Sequence, residues 1–220
     1  MRKILGAAFV SLDGVMQAPG GTQEDTRDGF DHGGWWVPQH DEQSDGMIGS
    51  WFEKPFALLL GRRTYDIFAA YWPFMPSDNP IAEAFNRTDK YVLTNSDAPL
   101  EWGGSHRLAN LDAVAALKNG DGPDLLIQGS STLYPQLLAR GLIDRLTLMI
   151  GPLLLGSGKR LFGDGTPPRA LRLVEHAVTA KGVVIASYEP AGQVQTGSFG
   201  ADEPSDRELE RRRKIAAGTW

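Results

Sequence analysis

The stretch "PDLLIQGSSTLYPQLLARGLIDRLTLMI", residues 123 to 150, decides the fold of this chain. Its first part predicts a buried strand, because a short apolar run leads into a tight turn at residues 129–131. The next part predicts a helix that ends at Gly141, with Pro135 near its first turn, where proline is tolerated. A second apolar run predicts another strand from Asp144 onward. A strand, a helix and a strand in this order are typical of an α/β domain.

The same alternation continues on both sides of this stretch. Strands are predicted at residues 3–11, 55–61 and 90–97, and a late hairpin is predicted with its turn at Lys181-Gly182. Helices are predicted from Asp41 to Phe52, from Thr64 to a stop at Pro73, and from an N-cap at Asn110 to Gly120. The pattern favours a mainly parallel sheet with an antiparallel edge.

The chain divides into one large domain and a short appendage. Residues 1–190 hold the strand and helix pattern, whereas residues 191–203 lose hydrophobicity and predict a linker. The segment "SDRELERRRKIAAG" then predicts a charged helix, with Ser205 and Glu208 at capping-box spacing. Residues 191–220 contain too few large apolar residues to form a core of their own, so we interpret them as a linker and a C-terminal helix.

Composition excludes several classes of function. The formal net charge of −5 argues against a nucleic acid or an anionic membrane surface as the main partner. The absence of cysteine excludes disulfides, thiolate nucleophiles and cysteine-ligated zinc, and the four scattered histidines predict no metal site. No apolar run approaches the roughly 18 residues that a membrane helix needs. These features together predict a cytoplasmic protein with a small-molecule substrate.

Two arginines follow the strand at residues 55–61. Gly61 permits a tight turn and Thr64 can cap the next helix, which leaves the first backbone N–H groups of that helix free. Free amides beside Arg62 and Arg63 would bind a phosphate. The alternative is that both arginines are solvated surface residues and that Thr64 is only a cap.

Two further turns carry similar chemistry. Thr94, Asn95 and Ser96 follow one predicted strand, and Gly129, Ser130 and Ser131 follow another. Because ligands of open α/β sheets bind beyond the carboxyl ends of the strands, we expect these turns to meet at one edge. Each turn singly is also compatible with an ordinary strand-to-helix connection, but the three together predict an extended phosphorylated ligand such as a dinucleotide.

Four segments, "FVSLDGVMQ", "GRRTYDIF", "YVLTNSD" and residues 125–162, resemble the dihydrofolate reductase-like superfamily. They are most similar to the reductase domain of bacterial riboflavin biosynthesis, and the resemblance covers about residues 2–190 in order. It implies a three-layer α/β/α fold with a mostly parallel central sheet and an antiparallel C-terminal hairpin. It also implies an NADPH-dependent reductase that acts on a pterin- or pyrimidine-like heterocycle.

The resemblance also implies roles for individual residues. Arg62, Arg63 and Thr64 would hold cofactor phosphates, the turn at 94–96 would flank the adenosine 2′-phosphate, and the turn at 129–131 would pass under the pyrophosphate. Ala8 would meet the nicotinamide through its backbone, and Gly61 and Leu133 complete the expected cofactor set.

Two departures from the family pattern concern the ligands. Gly129-Ser130 stands where paired glycines are typical, and Val15-Met16 stands where the riboflavin branch usually has a basic residue. The second departure argues against a ribityl-phosphate substrate. A zinc deaminase half with a Cys-x-x-Cys ligand pair cannot be present in this chain, because it has no cysteine.

The proton donor and the substrate contacts have several candidates. Asp13 ends the first strand, where the family places its substrate, but Asp-Gly is also an ordinary turn. Asp41, Glu42 and Asp45 begin the helix that lies beside the substrate in this superfamily, although acidic residues there also complement the helix dipole. Trp35 and Trp36 lie in the glycine-rich loop 17–40 and would either stack on a flat heterocycle or pin that loop.

The leading interpretation is an NADPH-dependent reductase, and the alternative is a non-catalytic nucleotide- or ligand-binding protein that retains the fold.

The late strand that begins near Asp144 is interpreted as a closing strand of the sheet. Leu146, Leu148 and Ile150 alternate with Thr147 and Met149, so we expect apolar cover on both faces of this strand. A homodimer through the late strands is predicted, and the alternative is that the tail covers the same surface.

Overall fold

The computed structural model describes residues 1–76, 78–199 and 203–220. Eight strands are present among these residues: β1 (Ile4–Ser11), β2 (Phe56–Gly61), β3 (Lys90–Leu93), β4 (Ser105–Leu108), β5 (Asp124–Gln128), β6 (Arg145–Gly151), β7 (Leu171–Val178) and β8 (Val184–Pro190). The described α-helices are α1 (Glu42–Ser50), α2 (Arg62–Ala69), α3 (Pro80–Arg87), α4 (Leu111–Asn119), α5 (Leu133–Ala139) and α6 (Asp206–Ala216).

The strands form one sheet in the order β4-β3-β2-β5-β1-β6-β8-β7. The strands from β4 to β6 are parallel, whereas β8 runs antiparallel to both β6 and β7. In the centre β1 pairs with β5 on one side and β6 on the other, with Ala8 opposite Leu148. The predicted mostly parallel sheet with an antiparallel C-terminal hairpin is confirmed.

Helices cover both faces of the sheet, as the alternation along β2 shows. Ala57 and Leu59 pack in a cluster with Val114 of α4 and with residues of α5. Leu58 and Leu60 point the other way and pack in a second cluster with residues of α2 and α3. The predicted three-layer arrangement therefore follows from a strand that is apolar on both faces and buried on both.

Two of the predicted helices begin directly after a residue whose side chain caps them. Asp41 caps α1 by accepting a hydrogen bond from the backbone N–H of Ser44 at 3.0 Å. Asn110 caps α4 by accepting from the N–H of Ala113 at 3.0 Å. Both helices satisfy their first N–H groups in the way that their sequences predict.

Three predictions about the fold need correction. Helix α2 ends at Ala69, before Pro73, because the chain continues into a short 3-10 helix, Trp72–Phe74. Helix α3 and strand β4 were not predicted. Strand β6 is an interior strand rather than a closing one, because β8 covers its outer edge.

The C-terminal segment contains the predicted helix. The Ser205 hydroxyl accepts a hydrogen bond from the N–H of Glu208 at 3.3 Å, and α6 buries none of its residues. Residues 200–202 of the predicted linker lie outside the described residues. The division into a domain and an appendage stays a prediction. Among the described residues, none of the helices combines the length and the apolar character that crossing a bilayer requires.

Candidate active site

A large cleft of about 1770 Å³ lies at the edge where β1, β2, β3 and β5 end. Its walls come from the loop after β1, the turns that follow β2, β3 and β5, and the helices α1 and α2. Pockets for small ligands typically measure about 300–1,000 Å³, so the cleft has room for an elongated ligand and a second small molecule. It lies where ligands of parallel α/β sheets bind.

The cleft brings together every predicted cofactor residue except Ser96. The residues that line it are Ala8, Gly61, Arg62, Arg63, Thr64, Thr94, Asn95, Gly129, Ser130, Ser131 and Leu133. Ser96 belongs to the turn after β3 but does not line the cleft. Its backbone N–H donates a hydrogen bond to the Thr94 hydroxyl at 3.0 Å. The expectation that three strand-end turns meet at one edge is therefore met by the geometry.

Two of these turns are tied together by hydrogen bonds. The Thr64 hydroxyl accepts from the N–H of Ser130 at 2.9 Å, and the Ser130 hydroxyl accepts from the N–H of Gly61 at 3.0 Å. Gly129 and Ser130 both have positive φ, at 64° and 59°. A Cβ on Gly129 would lie 3.1 Å from Cγ2 of Thr64, so the close approach of the two turns requires glycine there.

The roles predicted for Gly61 and Thr64 at the start of α2 are corrected by the structure. Gly61 is the N-cap residue, with φ −78°, which any residue adopts. Thr64 is the third residue of α2 and makes no capping bond, because its hydroxyl binds Ser130 instead. The hydroxyl thus fixes the neighbouring turn, and no side chain caps the first N–H groups of this helix.

Two arginines converge on the turn after β3. The guanidiniums of Arg62 and Arg107 both donate to the carbonyl oxygen of Ala98, at 2.9 and 2.8 Å. Arg62 is also paired with Asp66, one turn later on α2, at 2.8 Å. The turn after β3 is thus held by two guanidiniums, of which Arg62 lines the cleft and Arg107 does not.

Most charged side chains that line the cleft have a partner of opposite charge. The pairs within the described residues are Arg27–Asp25, Lys159–Asp28, His40–Asp45, Arg62–Asp66 and Arg140–Asp112. Within the part of the chain that the structure describes, Arg63 and Glu24 line the cleft without any ion pair. One cation and one carboxylate are therefore available to a ligand.

Glu24 was not among the predicted site residues. It lies half-buried in the loop after β1, and its Oε2 accepts a hydrogen bond from the N–H of Gly20 at 2.7 Å. Burial raises the pKa of Glu24, whereas the backbone N–H groups of Gly20 and Gly21 lower it. The sequence offers no signal that separates Glu24 from its acidic neighbours in this loop, since the difference lies in the tertiary structure: Asp25 is paired with Arg27, whereas Glu24 has no cation partner within the described residues.

Asp13 lies outside the cleft lining. Its carboxylate accepts hydrogen bonds from the Ser11 hydroxyl at 2.5 Å and from the N–H groups of Leu155 at 3.1 Å and Gly156 at 2.8 Å. These bonds, the one from Ser11 first, lower the pKa of Asp13 to about 2. The geometry gives Asp13 an anchoring role between β1 and the loop after β6, and it argues against Asp13 as a proton donor.

The acids at the start of α1 are placed differently from one another. Asp41 and Glu42 do not line the cleft, and Asp45 does. Hydrogen bonds from the N–H of Ser44 and from other groups lower the pKa of Asp41 to about 2. Asp45 is exposed and lies 3.3 Å from Nδ1 of His40. Asp45 is thus the one predicted acid that reaches the cleft.

The two tryptophans of the loop have different surroundings. Trp36 lines the cleft, and its ring lies 4.4 Å from the ring of Phe9 on β1, centroid to centroid. Trp35 is buried outside the cleft lining, and its indole N–H donates to the carbonyl of Gln17 at 2.8 Å. The hydrogen bond of Trp35 holds the loop in place, whereas the flat side chain of Trp36 lines the cleft.

One end of the cleft, which we call the aromatic lobe, is built from apolar side chains of α1, α2 and their flanking residues. Its members are Ile48, Trp51, Phe52, Ile67, Phe68 and Trp72. Phe85 of α3 supports it, with ring centroids 5.3 Å from Phe52 and 5.7 Å from Phe68. These six lining side chains carry no charge, so the lobe suits a flat, apolar part of a ligand.

The arrangement of strand-end turns around a central cleft agrees with the comparison to known families. The model of the RibD C-terminal domain matches residues 2–185. The chain belongs to the RibD C-terminal domain family.

Within the described residues, no group of three or more His, Asp or Glu side chains is placed to hold a metal ion.

Two similar proteins come from Bacillus subtilis strain 168. The uncharacterized protein YyaP is 28% identical over 137 residues, which cover 60% of this chain and 72% of YyaP. The uncharacterized protein YwjB is 26% identical over 176 residues, which cover 78% of this chain and 89% of YwjB. Neither name specifies an activity.

Three solved structures share the fold, each compared over 86% of this chain. A putative riboflavin biosynthesis protein from Shewanella sp. PV-4 has a TM-score of 0.64 and 20% identity over 99% of its own chain. A pyrimidine reductase-like protein from Corynebacterium diphtheriae has a TM-score of 0.55 and 16% identity over 92%. Dihydrofolate reductase from Enterococcus faecalis, complexed with NADP(H), has a TM-score of 0.53 and 17% identity over 96%.

Proposed function

We propose that this protein is an NADPH-dependent reductase that transfers hydride to a small pyrimidine- or pterin-like heterocycle. The observation that carries the proposal is the unpaired guanidinium of Arg63 in a cleft whose other described cations are paired. Arg63 lies at the start of α2, and the first N–H groups of that helix also favour an anion. Membership of the RibD C-terminal domain family and the likeness to an NADP(H)-bound reductase support the same assignment.

The phosphates of NADPH would bind at two places in the cleft. Arg63 and the N-terminus of α2 would meet the pyrophosphate, beside the turn of Gly129 and Ser130. The 2′-phosphate would lie at the turn of Thr94 and Asn95, where Arg62 would exchange its contacts with Asp66 and Ala98 for the ligand. Both sites use charge-assisted hydrogen bonds, which are shorter and stronger than neutral ones.

The nicotinamide end would lie against β1. Ala8 is 3% exposed and lines the cleft next to Phe9, and its backbone would form the floor under the nicotinamide. When bound, NADPH supplies the hydride, and the protein orients the reacting carbon and excludes water. Trp36 and Met16 line the same region and would hold a flat substrate against the floor. The aromatic lobe would take an uncharged part of that substrate.

A non-catalytic nucleotide- or ligand-binding protein is the second candidate. Three of the four acids that the sequence singled out, Asp13, Asp41 and Glu42, lie outside the cleft lining, and hydrogen bonds hold the pKa values of Asp13 and Asp41 at about 2. An enzyme that protonates its substrate near neutral pH needs another acid. This observation favours binding without catalysis unless a different residue supplies the proton.

The test is an assay of NADPH oxidation with a panel of pterins and pyrimidines, followed by the loss of NADPH absorbance and by product analysis. The proposal expects turnover of at least one compound, and the Arg63→Gln variant should need more NADPH for half-maximal rate. NADPH binding without turnover across the panel would favour the second candidate. A cofactor requirement met equally by NADH would contradict the assignment of the 2′-phosphate site.

A further inference from the structure

We propose that Glu24 is the residue that donates the proton to the substrate as it is reduced. This inference rests on the proposed function, because a reductase of a C=N bond needs a proton as well as a hydride. Glu24 lines the cleft, it is held in one place by the loop that carries it, and it has no cation partner within the described residues. No other carboxylate of the cleft combines these three properties.

The loop around Glu24 is fastened by one buried side chain. The amide nitrogen of Gln17 donates to the carbonyls of Asp25 and Arg27, at 3.0 and 3.1 Å, and its amide oxygen accepts from the N–H of Lys159 at 2.9 Å. Gln17 itself is 4% exposed. The backbone beside Glu24 is therefore tied through Gln17 to the loop at Lys159, and the hydrogen bond from Gly20 holds the Glu24 carboxyl group itself.

The cations near Glu24 are paired with other carboxylates, so none within the described residues is paired with Glu24. The neighbouring carboxylate, Asp25, takes both nearby cations: its Oδ1 accepts from Nε of Arg27 at 2.6 Å, and its Oδ2 lies 3.8 Å from Nζ of Lys159. Lys159 also lies 3.2 Å from the exposed Asp28. Glu24 receives only backbone hydrogen bonds, from Gly20 and Gly21.

The electrostatics agree with this geometry. Burial raises the pKa of Glu24, and the negative charge of Asp25 acts in the same direction. A raised pKa keeps a larger fraction of the carboxyl group protonated near neutral pH, which a general acid requires. The pKa of Asp13 and that of Asp41 are shifted the opposite way. Asp45 is exposed and lies 3.3 Å from His40, and the other cleft acids, Asp25, Asp66 and Asp112, are each paired with an arginine.

The proposed step balances in atoms and electrons. Hydride from NADPH adds to the carbon of a C=N bond, and the π electrons of that bond move to the nitrogen. The nitrogen takes the proton from the Glu24 carboxyl group, so the products are the C–H and N–H bonds, NADP⁺ and the Glu24 carboxylate. The carboxylate regains its proton from solvent before the next turnover.

The first test measures the protonation of Glu24 in the full chain without cofactor. Glutamate is labelled with ¹³C at Cδ, and the signal absent from the Glu24→Gln variant is followed by NMR as pH changes. The inference expects a midpoint above the ordinary glutamate value of about 4.3. A midpoint at or below that value would overturn the assignment, whatever the outcome of the NADPH assay.

The second test asks whether Glu24 faces the ligand. Binding of 2,4-diaminopyrimidine, whose protonated form pairs with a carboxylate, is measured by calorimetry on the wild type and on three variants. Glu24→Gln should weaken binding about tenfold or more, since a charge-assisted contact is lost. Asp45→Asn and the exposed control Asp28→Asn should change it less. No binding to the wild type, or an equal loss in the Asp28→Asn control, would overturn the inference.

Both tests are made without NADPH, so their outcome is separate from that of the proposed function. If a substrate is found, Glu24→Gln should also remove the fall of kcat at high pH that titration of this acid produces, while NADPH affinity is kept. A pH profile that is unchanged in Glu24→Gln would contradict the role in proton transfer even if the carboxyl group titrates as expected.

Discussion

The hydroxyl of Thr64, on α2, accepts a hydrogen bond from the backbone N–H of Ser130 at 2.9 Å, although the two residues belong to different strand–helix units. The hydroxyl of Ser130 in turn accepts a hydrogen bond from the backbone N–H of Gly61 at 3.0 Å. The two turns that line the centre of the cleft are thereby held at a fixed separation before any ligand binds. Preorganisation of this kind increases affinity because less ordering occurs on binding.

The first prediction concerns this connection. Thr64→Val keeps the shape of the side chain but leaves the N–H of Ser130 without its acceptor, at a cost of about 1–3 kcal/mol for an unsatisfied buried group. We expect lower thermal stability and weaker NADPH binding. Thr64→Ser keeps the hydroxyl and should retain most of both. Equal behaviour of the two variants in calorimetry and in NADPH titration would show that the bond has no such role.

The second prediction concerns Asp13. Asp13→Asn removes the charge that accepts hydrogen bonds from Ser11, Leu155 and Gly156, so we expect a loss of about 1.5–3 kcal/mol in the free energy of unfolding near neutral pH. The pKa of Asp13 is lowered from 3.8 to about 2 in the folded state, so its contribution is present above the unfolded value and disappears as pH falls through that window. Urea unfolding of both proteins measures this difference.

The outcome of that experiment also separates two roles for Asp13. If it is an anchor, the stability difference between wild type and Asp13→Asn shrinks as pH falls from about 4 to about 2. If Asp13 were instead the proton donor, turnover would fall about 100-fold while stability stayed the same. A large loss of turnover without a stability change would contradict the structural interpretation.

The third prediction concerns assembly. Among the described residues, β7 is an edge strand with almost all of its side chains exposed, including Leu171 (39%), Leu173 (47%) and Val178 (62%). Edge strands with exposed apolar residues pair with other chains unless they are blocked. We propose a homodimer that covers β7 and β8. Light scattering should give a dimer for the wild type and a monomer for Leu173→Lys.

The alternative is that the tail covers β7 within one chain. A chain that ends at Pro190 separates the two possibilities. A dimer in both the full and the shortened chain supports pairing through β7. A full-length monomer that associates only after truncation would show that residues 191–220 occupy this surface.

Much of the fold could be predicted because long apolar segments and clear end signals coincide. The segment from Asp124 to Gly151 contains a buried strand, a helix that ends near Gly141 and a second strand, as its pattern indicates. Strand β4 was missed because it is only four residues long, Ser105–Leu108, and three of the four are polar. Strand β6 was taken for a closing strand because the sequence does not reveal which strand lies beside it.

The site was predictable only in part. The phosphate turns could be located because small and basic residues follow strands, and parallel strands end at one edge. The roles of the acids could not be predicted, because the same residue type can cap a helix, anchor a loop or line the cleft. Asp41 and Asp13 take up hydrogen bonds from distant loops, at Lys181 and Leu155, and these contacts depend on the tertiary structure. Glu24 differs from Asp25 in having no cation partner within the described residues, which the sequence does not reveal.

The central claim is that the cleft holds NADPH, and the most direct test compares NADPH with NADH by quenching of tryptophan fluorescence. We expect NADPH to bind at least about tenfold more tightly than NADH, because the 2′-phosphate adds charge-assisted contacts. Arg63→Gln should weaken NADPH binding by about the same factor, whereas the exposed control Arg87→Gln, on α3, should not change it. Equal affinity of the wild type for NADPH and NADH, or no binding of either, would contradict the account.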